Sequence, residues 1–519
     1  MRGRRAKRVL SSEPGADTEL LLVWSVSRHT IKSAHYRLED LLLDASNVDQ
    51  AYGASAGQAT PHGLLLAEHM GEYYRGIAAR LAHDLECLWP SNRCSRPAEA
   101  CALANETLRV VSDSDERDVQ SAARLLATLA PGCGLAPVVD HALLHEGRPD
   151  MLRGGCGYAS EAEVSALYGG SVQGWLADNF GARLDRLSEI FGCCKPSLCA
   201  GVAAADDDEV ESSPCGLRQL PSPWEGGYWA TWGGGLEHAE HLANTLLLQF
   251  ANNGTVAGGV AAAEMPQLYA VAEAGWSTYK NPLNAQRLGG SLAAALAVEL
   301  GAASGLLRAS AAPSTSSTSS TPRARFQYHM AHDVNVAFMH EYLGVRPQAA
   351  GWPMGASTVF LGALSVELHR NSTSTATSSG ALTVRVSQHA PSPAQMRALD
   401  LRALAPSPLP LPLCSAPLDC PVDEFLRGLV ARITRRDCIE PRLAQRLAEL
   451  ESRWQAPAAG RELPGHAHVG VAVAGWLIAA LTCLTLCGAL RGSRSFPARQ
   501  LPLWAQFRAF RDKDLACSL

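Results

Sequence analysis

Two short motifs in distant parts of the chain, Arg28-His29 and His332-Asp333, carry residue types that suit phosphoryl chemistry. Neutral imidazole is a good nucleophile at mild pH, and its attack on phosphorus divides hydrolysis into formation and breakdown of a phosphohistidine. A guanidinium can bind phosphoryl oxygens through two parallel hydrogen bonds. A nearby carboxylic acid can protonate the leaving alcohol. The two motifs together therefore indicate phosphoryl transfer through histidine.

Each motif directly follows an apolar run that is typical of a buried strand. Residues 20–26 (LLLVWSV) lead into Arg28-His29, and residues 326–330 (FQYHM) lead into His332-Asp333. A third run, residues 108–111 (LRVV), is followed by a polar segment that places Arg117 near the start of a helix. In a parallel α/β sheet, ligands bind beyond the carboxyl ends of the strands. We therefore expect the three strand ends to meet in one basic pocket.

In their order along the chain, these motifs resemble the histidine acid phosphatases. That family shares the pattern R-H-G-x-R-x-P early in the sequence and H-D late, and this chain has RHTIKSA at residues 28–34 and AHD at 331–333. Four further segments resemble parts of the family's sequences: residues 57–75 (GQATPHGLLLAEHMGEYYR), 112–122 (SDSDERDVQSA), 286–290 (QRLGG) and 411–438 (LPLCSAPLDCPVDEFLRGLVARITRRDC). The last of these segments resembles the end of the animal prostatic and lysosomal members. The resemblance covers roughly residues 19–440.

The resemblance implies a role for each candidate residue. His29 is the expected nucleophile, and Asp333 is the expected general acid, which predicts activity that favours acid pH. Arg28, Lys32, Arg117 and His332 are the expected phosphate-binding residues. Small phosphomonoesters are the implied substrates, and neither a cofactor nor a metal is expected. The implied fold is α/β, with a mixed, mostly parallel sheet flanked by helices and a smaller α-helical cap.

Three positions of the early motif depart from the family pattern. Thr30 replaces the glycine after the motif histidine and adds a Cβ where the backbone passes close to phosphate. Lys32 replaces the second arginine and keeps the charge without the planar fork. Ala34 replaces the proline. An acid phosphatase weakened by Thr30 and Lys32 is the first hypothesis, and an impaired phosphatase-like ectodomain that binds phosphorylated ligands or partners is the alternative.

Composition and low-complexity segments suggest how the chain is divided. The formal net charge of −5 gives no signature of nucleic-acid binding. We expect a basic segment at residues 1–18, an ectodomain at 19–460, a helical cap at about 135–300 and a Ser/Thr-rich loop at 309–323. The segment EHAEH at 237–241 lacks the HExxH spacing of a zinc site and is interpreted as a polar helix face. A homodimer is compatible with the sequence.

Cysteine usage indicates an oxidising compartment. Fifteen cysteines are present, and the twelve that precede residue 468 can form up to six disulfides. A metal site at Cys193, Cys194 and Cys199 is disfavoured because a second CxxC pair is lacking. Sequons begin at Asn105, Asn253 and Asn371 and are compatible with a secretory route.

The C-terminal region contains an apolar segment that is long enough to span a membrane. Residues 468–490 (HVGVAVAGWLIAALTCLTLCGAL) lack acidic, Lys and Arg side chains, and three arginines follow by residue 499. This predicts a single-pass helix with residues 491–519 in the cytosol and the ectodomain in a lumen or outside the cell. Residues 1–19 contain no apolar stretch of a signal peptide, so we expect an incomplete N-terminus or insertion through the C-terminal helix.

Overall fold

The structure, a computed structural model, describes residues 18–34, 52–89, 94–144, 156–199, 215–226, 231–307, 324–347, 351–352, 358–371 and 382–455. An eight-stranded mixed sheet forms its centre. The strands of this sheet and of a separate two-stranded hairpin, in chain order, are β1 (Thr18–Arg28), β2 (Leu108–Ser112), β3 (Val138–Val139), β4 (Trp224–Gly226), β5 (Thr231–Trp232), β6 (Phe326–Ala331), β7 (Ala363–Asn371), β8 (Leu382–His389), β9 (Ser407–Pro408) and β10 (Cys420–Pro421).

The strand order explains how residues from distant parts of the chain come together. The order is β10-β8-β7-β1-β6-β2-β3, with β9 paired to β8, while β4 and β5 form the hairpin. Strand β6 lies between β1 and β2 and runs parallel to both, and the partner of Arg28 is Ala331. The remaining strands β7 to β10 pair in antiparallel fashion. The carboxyl ends of β1, β6 and β2 therefore lie side by side.

The three predicted strands and the mixed α/β class are confirmed. The apolar run at 20–26 lies within β1, the run at 108–111 within β2 and the run at 326–330 within β6. Strand β6 is buried along its whole length, as expected for a strand covered on both faces. Arg117 lies in the first turn of a helix that begins at Glu116.

Fifteen α-helices surround the sheet in the described part of the chain. They are α1 (Pro61–Leu81), α2 (Pro97–Thr107), α3 (Glu116–Leu129), α4 (His141–Leu144), α5 (Glu161–Leu167), α6 (Val172–Phe191), α7 (Pro196–Cys199), α8 (Gly234–Ala251), α9 (Met265–Ser277), α10 (Pro282–Leu288), α11 (Gly290–Ala303), α12 (Asp333–Leu343), α13 (Pro393–Ala398), α14 (Val422–Arg432) and α15 (Pro441–Gln455). Short 3-10 turns occur at His83–Leu88, Ala257–Gly259 and Arg436–Cys438.

Two hydrophobic cores flank the sheet. The first joins α1 and α3 to one face and continues into α5, α6, α8 and α9. The second joins α11, α12, α14 and α15 to the other face. Side chains of β1 alternate between the cores, with Val23 in the first and Trp24 in the second, because successive strand residues point to opposite faces. Helix α11, most of which lies within the predicted cap at residues 135–300, packs in the second core.

Six disulfides join the twelve cysteines that the sequence assigned to the ectodomain: Cys87–Cys94, Cys101–Cys133, Cys156–Cys438, Cys193–Cys194, Cys199–Cys215 and Cys414–Cys420. The disulfide prediction is therefore confirmed. The bond between Cys156 and Cys438 spans 282 residues and ties the segment before α5 to the segment before α15. The cysteines weighed as metal ligands are all disulfide-bonded.

None of the helices in the described part of the chain combines the length and the hydrophobicity that a membrane crossing requires. The predicted spanning segment at 468–490, the tail at 491–519 and the Ser/Thr-rich loop at 309–323 lie outside the described residues.

Helix α1 approaches the backbone after His29 very closely at Gly63. A Cβ at Gly63 would lie 2.3 Å from the carbonyl oxygen of Ile31, whereas a Cβ at Gly76, in the same helix, would meet nothing within 4 Å. We expect Gly63→Ala to lower the free energy of unfolding by about 1–3 kcal/mol, because a packed backbone must move. Gly76→Ala is the matched control and should raise it by roughly 0.5–1 kcal/mol. Urea unfolding of both variants tests this, and equal effects would contradict the close packing.

Candidate active site

His29 follows β1 and is held as a neutral imidazole. Its Nδ1–H donates to the carbonyl oxygen of Thr30 at 2.7 Å, since that oxygen can only accept, and this leaves the lone pair of Nε2 free for chemistry. Burial, together with the cationic Arg117 and Arg28, holds the pKa of His29 well below its usual range. The side chain therefore remains a neutral nucleophile in acid solution.

Arg28 is fixed in a buried position at the end of β1. Its Nη1 donates to the carbonyl oxygen of Thr358 at 3.0 Å, and its guanidinium carbon lies 4.0 Å from the ring centroid of Phe360. The side chain of Trp276 lies on the same guanidinium, 5.2 Å away. Because these contacts fix the planar group in advance, it can bind a phosphoryl oxygen with little further ordering.

Arg117 and His332 form a second cationic centre beside His29. Nη2 of Arg117 donates to Nδ1 of His332 at 3.2 Å, and the His332 ring meets the His29 ring edge-on with centroids 5.5 Å apart. Nε2 of His332 lies 3.3 Å from Asp113. Although burial opposes it, hydrogen bonds from His332 and His141 lower the pKa of Asp113 to about 2, so this carboxylate is ionised and orients the ring.

Asp115, Asp118 and His332 place one potential ligand atom each within 4.8 Å of the others, which is compact enough for a metal ion. The guanidinium of Arg117 already contacts all three side chains. Its Nη2 lies 2.8 Å from Asp115, and its Nε lies 3.8 Å from Asp118. These side chains therefore form a cluster in which two carboxylates and a histidine surround the Arg117 guanidinium.

Asp333 begins α12 and forms an ion pair with a lysine that the sequence did not indicate. Nζ of Lys280 lies 2.6 Å from the Asp333 carboxylate, and Arg28 lies at 3.9 Å. Although burial alone raises the pKa of Asp333, the charges of Lys280 and Arg28 outweigh it and hold the pKa below its usual range. Lys280 also donates to the Thr358 hydroxyl at 3.1 Å. These two cations therefore stabilise the anionic form of Asp333.

The six sequence-predicted site residues all line one cavity of about 250 Å³: Arg28, His29, Lys32, Arg117, His332 and Asp333. Lys32 thus reaches the pocket in spite of the departure from the family pattern. The cavity is also lined by a face of α8 that includes Glu237, Glu240 and His241. The sequence identified the EHAEH segment as a polar helix face but did not indicate that this face lies at the cavity. Sequence periodicity shows which residues share a face of a helix, and it does not show what that face packs against.

Lys280 is the main site residue that the sequence did not predict. It lies in the short connection between α9 and α10, where Asn281 caps α10 by accepting from the backbone N–H of Asn284. Asn281 and Pro282 indicate the start of a helix in the sequence. They do not indicate that Lys280 forms an ion pair with a residue 53 positions later in the sequence. Only the tertiary structure brings Lys280 to Asp333.

Thr30 turns its side chain away from the pocket. Its hydroxyl donates to the carbonyl oxygen of Gly63 at 2.5 Å, and its backbone N–H donates to the Ser121 hydroxyl at 3.1 Å. Thr30 is fully buried and does not line the cavity. The threonine therefore links the segment after His29 to α1 and does not obstruct the cavity.

Restoring the family glycine at this position should therefore cost stability without raising activity. We expect Thr30→Gly to lower the free energy of unfolding by about 1–3 kcal/mol, because a buried hydrogen bond is lost and the unfolded chain gains freedom. Urea unfolding and kcat/KM for p-nitrophenyl phosphate provide the measurements. A tenfold or greater gain in kcat/KM would show instead that the Thr30 side chain obstructs phosphate.

Lys280 should set the pH range of the reaction through Asp333. A carboxyl with a depressed pKa is protonated only in acid, so a reaction that needs its proton declines as pH rises. Lys280→Met removes the main attractive charge and raises the pKa of Asp333, which should move the alkaline decline of kcat/KM to higher pH. Lys195→Met is the control, because Lys195, next to α7, is not among the charged groups that lower the pKa of Asp333. An unchanged pH profile in Lys280→Met would contradict this role.

Structural similarity to known proteins is clear, although no protein-family model and no curated protein sequence matches the chain. The Hafnia alvei phytase in complex with tartrate superposes with a TM-score of 0.64 at 22% identity, over 82% of this chain and 100% of that one. The Citrobacter braakii phytase superposes with a TM-score of 0.62 at 18% identity, again over 82% and 100%. The chain has the histidine acid phosphatase fold.

The histidine acid phosphatase fold accounts for the position of the cavity. In this fold the ends of β1 and β6 supply the two motifs, and the start of α3 after β2 supplies Arg117. The mixed α/β fold that the motifs implied is thus confirmed by superposition of 82% of this chain on the full length of each of the two phytases. At these identities the similarity establishes the fold alone, so the case for activity depends on the geometry of the site.

Proposed function

We propose that the protein is an acid phosphatase that hydrolyses phosphomonoesters through a covalent phosphohistidine. The observation that carries the proposal is the neutral His29, whose Nδ1–H is fixed on the Thr30 carbonyl while Arg28 and Arg117 line the same cavity. This arrangement places a nucleophilic lone pair beside two cations that can bind the phosphoryl oxygens. The fold shared with two phytases adds independent support.

The reaction divides into two balanced steps. In the first, Nε2 of His29 forms a bond to phosphorus, the ester P–O bond breaks, and the leaving oxygen takes a proton from the Asp333 carboxyl. In the second, water attacks phosphorus, the N–P bond breaks, and the water proton returns to the Asp333 carboxylate. Inorganic phosphate is then released with His29 regenerated.

Asp333 must first gain the proton that it donates. Lys280 and Arg28 oppose this protonation because their charges stabilise the anion. A bound phosphate ester brings negative charge to the same cations and so makes protonation of Asp333 easier. Acid solution supplies the proton, and His29 remains unprotonated there because burial lowers its pKa. The reaction requires a protonated Asp333 and an unprotonated His29, and acid solution therefore allows both.

Hydrolysis of p-nitrophenyl phosphate by the purified ectodomain, measured from about pH 4 to pH 8 with a chelator present, tests the proposal. We expect turnover that is greatest in acid and insensitive to the chelator. A folded, disulfide-bonded protein without turnover would refute the proposal and favour the alternative, an impaired ectodomain that binds phosphorylated ligands. The Thr30 and Lys32 geometry does not favour that alternative, since Thr30 leaves the cavity open and Lys32 lines it.

We further propose that the ectodomain faces a lumen or the cell exterior and is anchored by residues 468–490. Six disulfides support an oxidising compartment. The sequon asparagines Asn105, Asn253 and Asn371 are exposed, as glycosylation requires. Treatment of the cell-expressed protein with an N-glycosidase should increase its gel mobility, and membranes should retain it in carbonate. Recovery of an unglycosylated protein in the soluble fraction would contradict this topology.

A further inference from the structure

One face of α8 forms a wall of the cavity that the phosphoryl reaction does not use. The lining residues of this helix are spaced at i, i+3, i+4, i+7 and i+8, which places them on one face: Glu237, Glu240, His241, Asn244 and Thr245. Three of them offer carboxylate or amide oxygens. The phosphate-binding residues come from β1, α3 and the start of α12, so the α8 wall is left to contact the leaving alcohol.

Two polar atoms on this side of the cavity have opposite hydrogen-bonding character. The side-chain oxygen Oδ1 of Asn244 can only accept, and Nε1–H of Trp232 can only donate. Both atoms are buried and have no hydrogen-bond partner among the described residues. Trp232 is only 8% exposed. Buried polar atoms normally have partners, so this pair indicates a ligand with both a donor and an acceptor.

The charges on the α8 wall do not suit a second phosphate. Glu240 accepts a hydrogen bond from the Trp276 indole, and burial raises its pKa to about 8, so it is a neutral carboxylic acid in acid solution. Nε2 of His241 lies 3.7 Å from the Glu237 carboxylate. The α8 wall therefore offers no surplus cation to an additional phosphate group.

Aromatic side chains also line the cavity. Trp232, Trp276 and Tyr279 line it together with the α8 face. Carboxyl, amide and indole groups next to aromatic rings suit an alcohol that has several hydroxyl groups on a carbon frame. Hydroxyl groups both donate and accept, and the C–H groups between them pack on aromatic rings.

We propose that the cavity selects monophosphate esters of polyols or sugars, with leaving-group hydroxyls bound by Asn244 Oδ1, Trp232 Nε1 and the Glu237 and Glu240 carboxyls. This inference rests on the proposed phosphatase activity. An ammonium-bearing alcohol is a poorer fit because it donates only and leaves Trp232 unpaired. An inositol polyphosphate is a poorer fit because its further phosphates only accept and are anionic. The Hafnia alvei phytase is solved with myo-inositol hexakis sulphate, so the fold itself admits such an anion.

The test compares kcat/KM of the ectodomain for glucose 6-phosphate, phosphoethanolamine, inositol hexakisphosphate and p-nitrophenyl phosphate. We expect glucose 6-phosphate to exceed both phosphoethanolamine and inositol hexakisphosphate by about tenfold or more. Trp232→Phe removes the indole N–H together with part of the ring, and Asn244→Leu replaces the amide oxygen and nitrogen with methyl groups in the same branched shape. Each should lower the ratio of kcat/KM for glucose 6-phosphate to that for p-nitrophenyl phosphate by about threefold to tenfold.

Trp175→Phe is the matched control. The Trp175 indole N–H is also buried and without a partner among the described residues, but Trp175 does not line the cavity. The ratio compares two substrates on one preparation, so a partly unfolded variant does not distort it. Equal or better use of inositol hexakisphosphate, or ratios that stay at the wild-type value in both pocket variants, would overturn the inference alone. Absence of turnover with every ester would overturn the proposed function and this inference with it.

Discussion

Replacing His29 with alanine should lower kcat for p-nitrophenyl phosphate by about a thousandfold or more. The alanine side chain has no lone pair, so the N–P bond cannot form and hydrolysis cannot proceed through the two-step route. The loss should appear in kcat at every pH from about 4 to 8, because the N–P bond requires the lone pair on Nε2 of His29, which the fixed Nδ1–H leaves available.

His69→Ala is the matched control for this experiment. His69 lies on α1 with its side chain 42% exposed and contacts Glu72 on the same helix. Its removal should leave kcat within about twofold of wild type, as expected for a surface substitution. Circular dichroism and urea unfolding establish that both variants are folded. Retention of a tenth or more of the wild-type kcat in a folded His29→Ala variant would contradict the nucleophilic role.

Replacing Asp333 with asparagine should produce a loss that depends on the leaving group. Asparagine keeps the size of the side chain but has no acidic proton to give. For an alkyl ester such as glycerol 2-phosphate, whose alkoxide leaves poorly without a proton, we expect kcat to fall by about a hundredfold to ten-thousandfold. For p-nitrophenyl phosphate, whose phenolate leaves readily, the loss should be at least about tenfold smaller.

The ratio of the two losses distinguishes a proton donor from a merely structural carboxylate. If Asp333 served only to pair with Lys280 and Arg28, its replacement would disturb both substrates equally. Asp419→Asn is the matched control, since Asp419 forms an exposed ion pair with Arg385 away from the cavity. Equal losses for the alkyl and nitrophenyl esters would therefore exclude the general-acid role.

The sequence predicted the parts of the site that depend on local pattern. Buried parallel strands give continuous apolar runs, so the ends of β1, β2 and β6 could be located, and with them the positions of His29, Arg117 and Asp333. Because ligands bind where parallel strands end, the convergence of these residues also followed from the sequence. That the twelve cysteines form disulfides also followed from their number and context, whereas the sequence left their connectivity open.

Features that depend on tertiary contacts could not be predicted in this way. Lys280 lies in a connection between helices, and its role comes from the 2.6 Å contact with Asp333. Thr30 was interpreted as an obstruction near phosphate because a sequence gives the presence of a Cβ and not its direction. The structure turns its hydroxyl to Gly63. The α8 wall was identified as a polar face, but its position at the cavity depends on packing against α9.

The most direct test of the account is to trap the covalent intermediate. The ectodomain is mixed with radiolabelled p-nitrophenyl phosphate in acid solution, quenched within milliseconds by strong base, and digested for mass spectrometry. We predict a base-stable, acid-labile phosphoryl group on His29 that forms as fast as turnover and is absent from His29→Ala. Steady turnover with no phosphorylated residue, or a base-labile phosphoryl group on a carboxylate, would contradict the central claim.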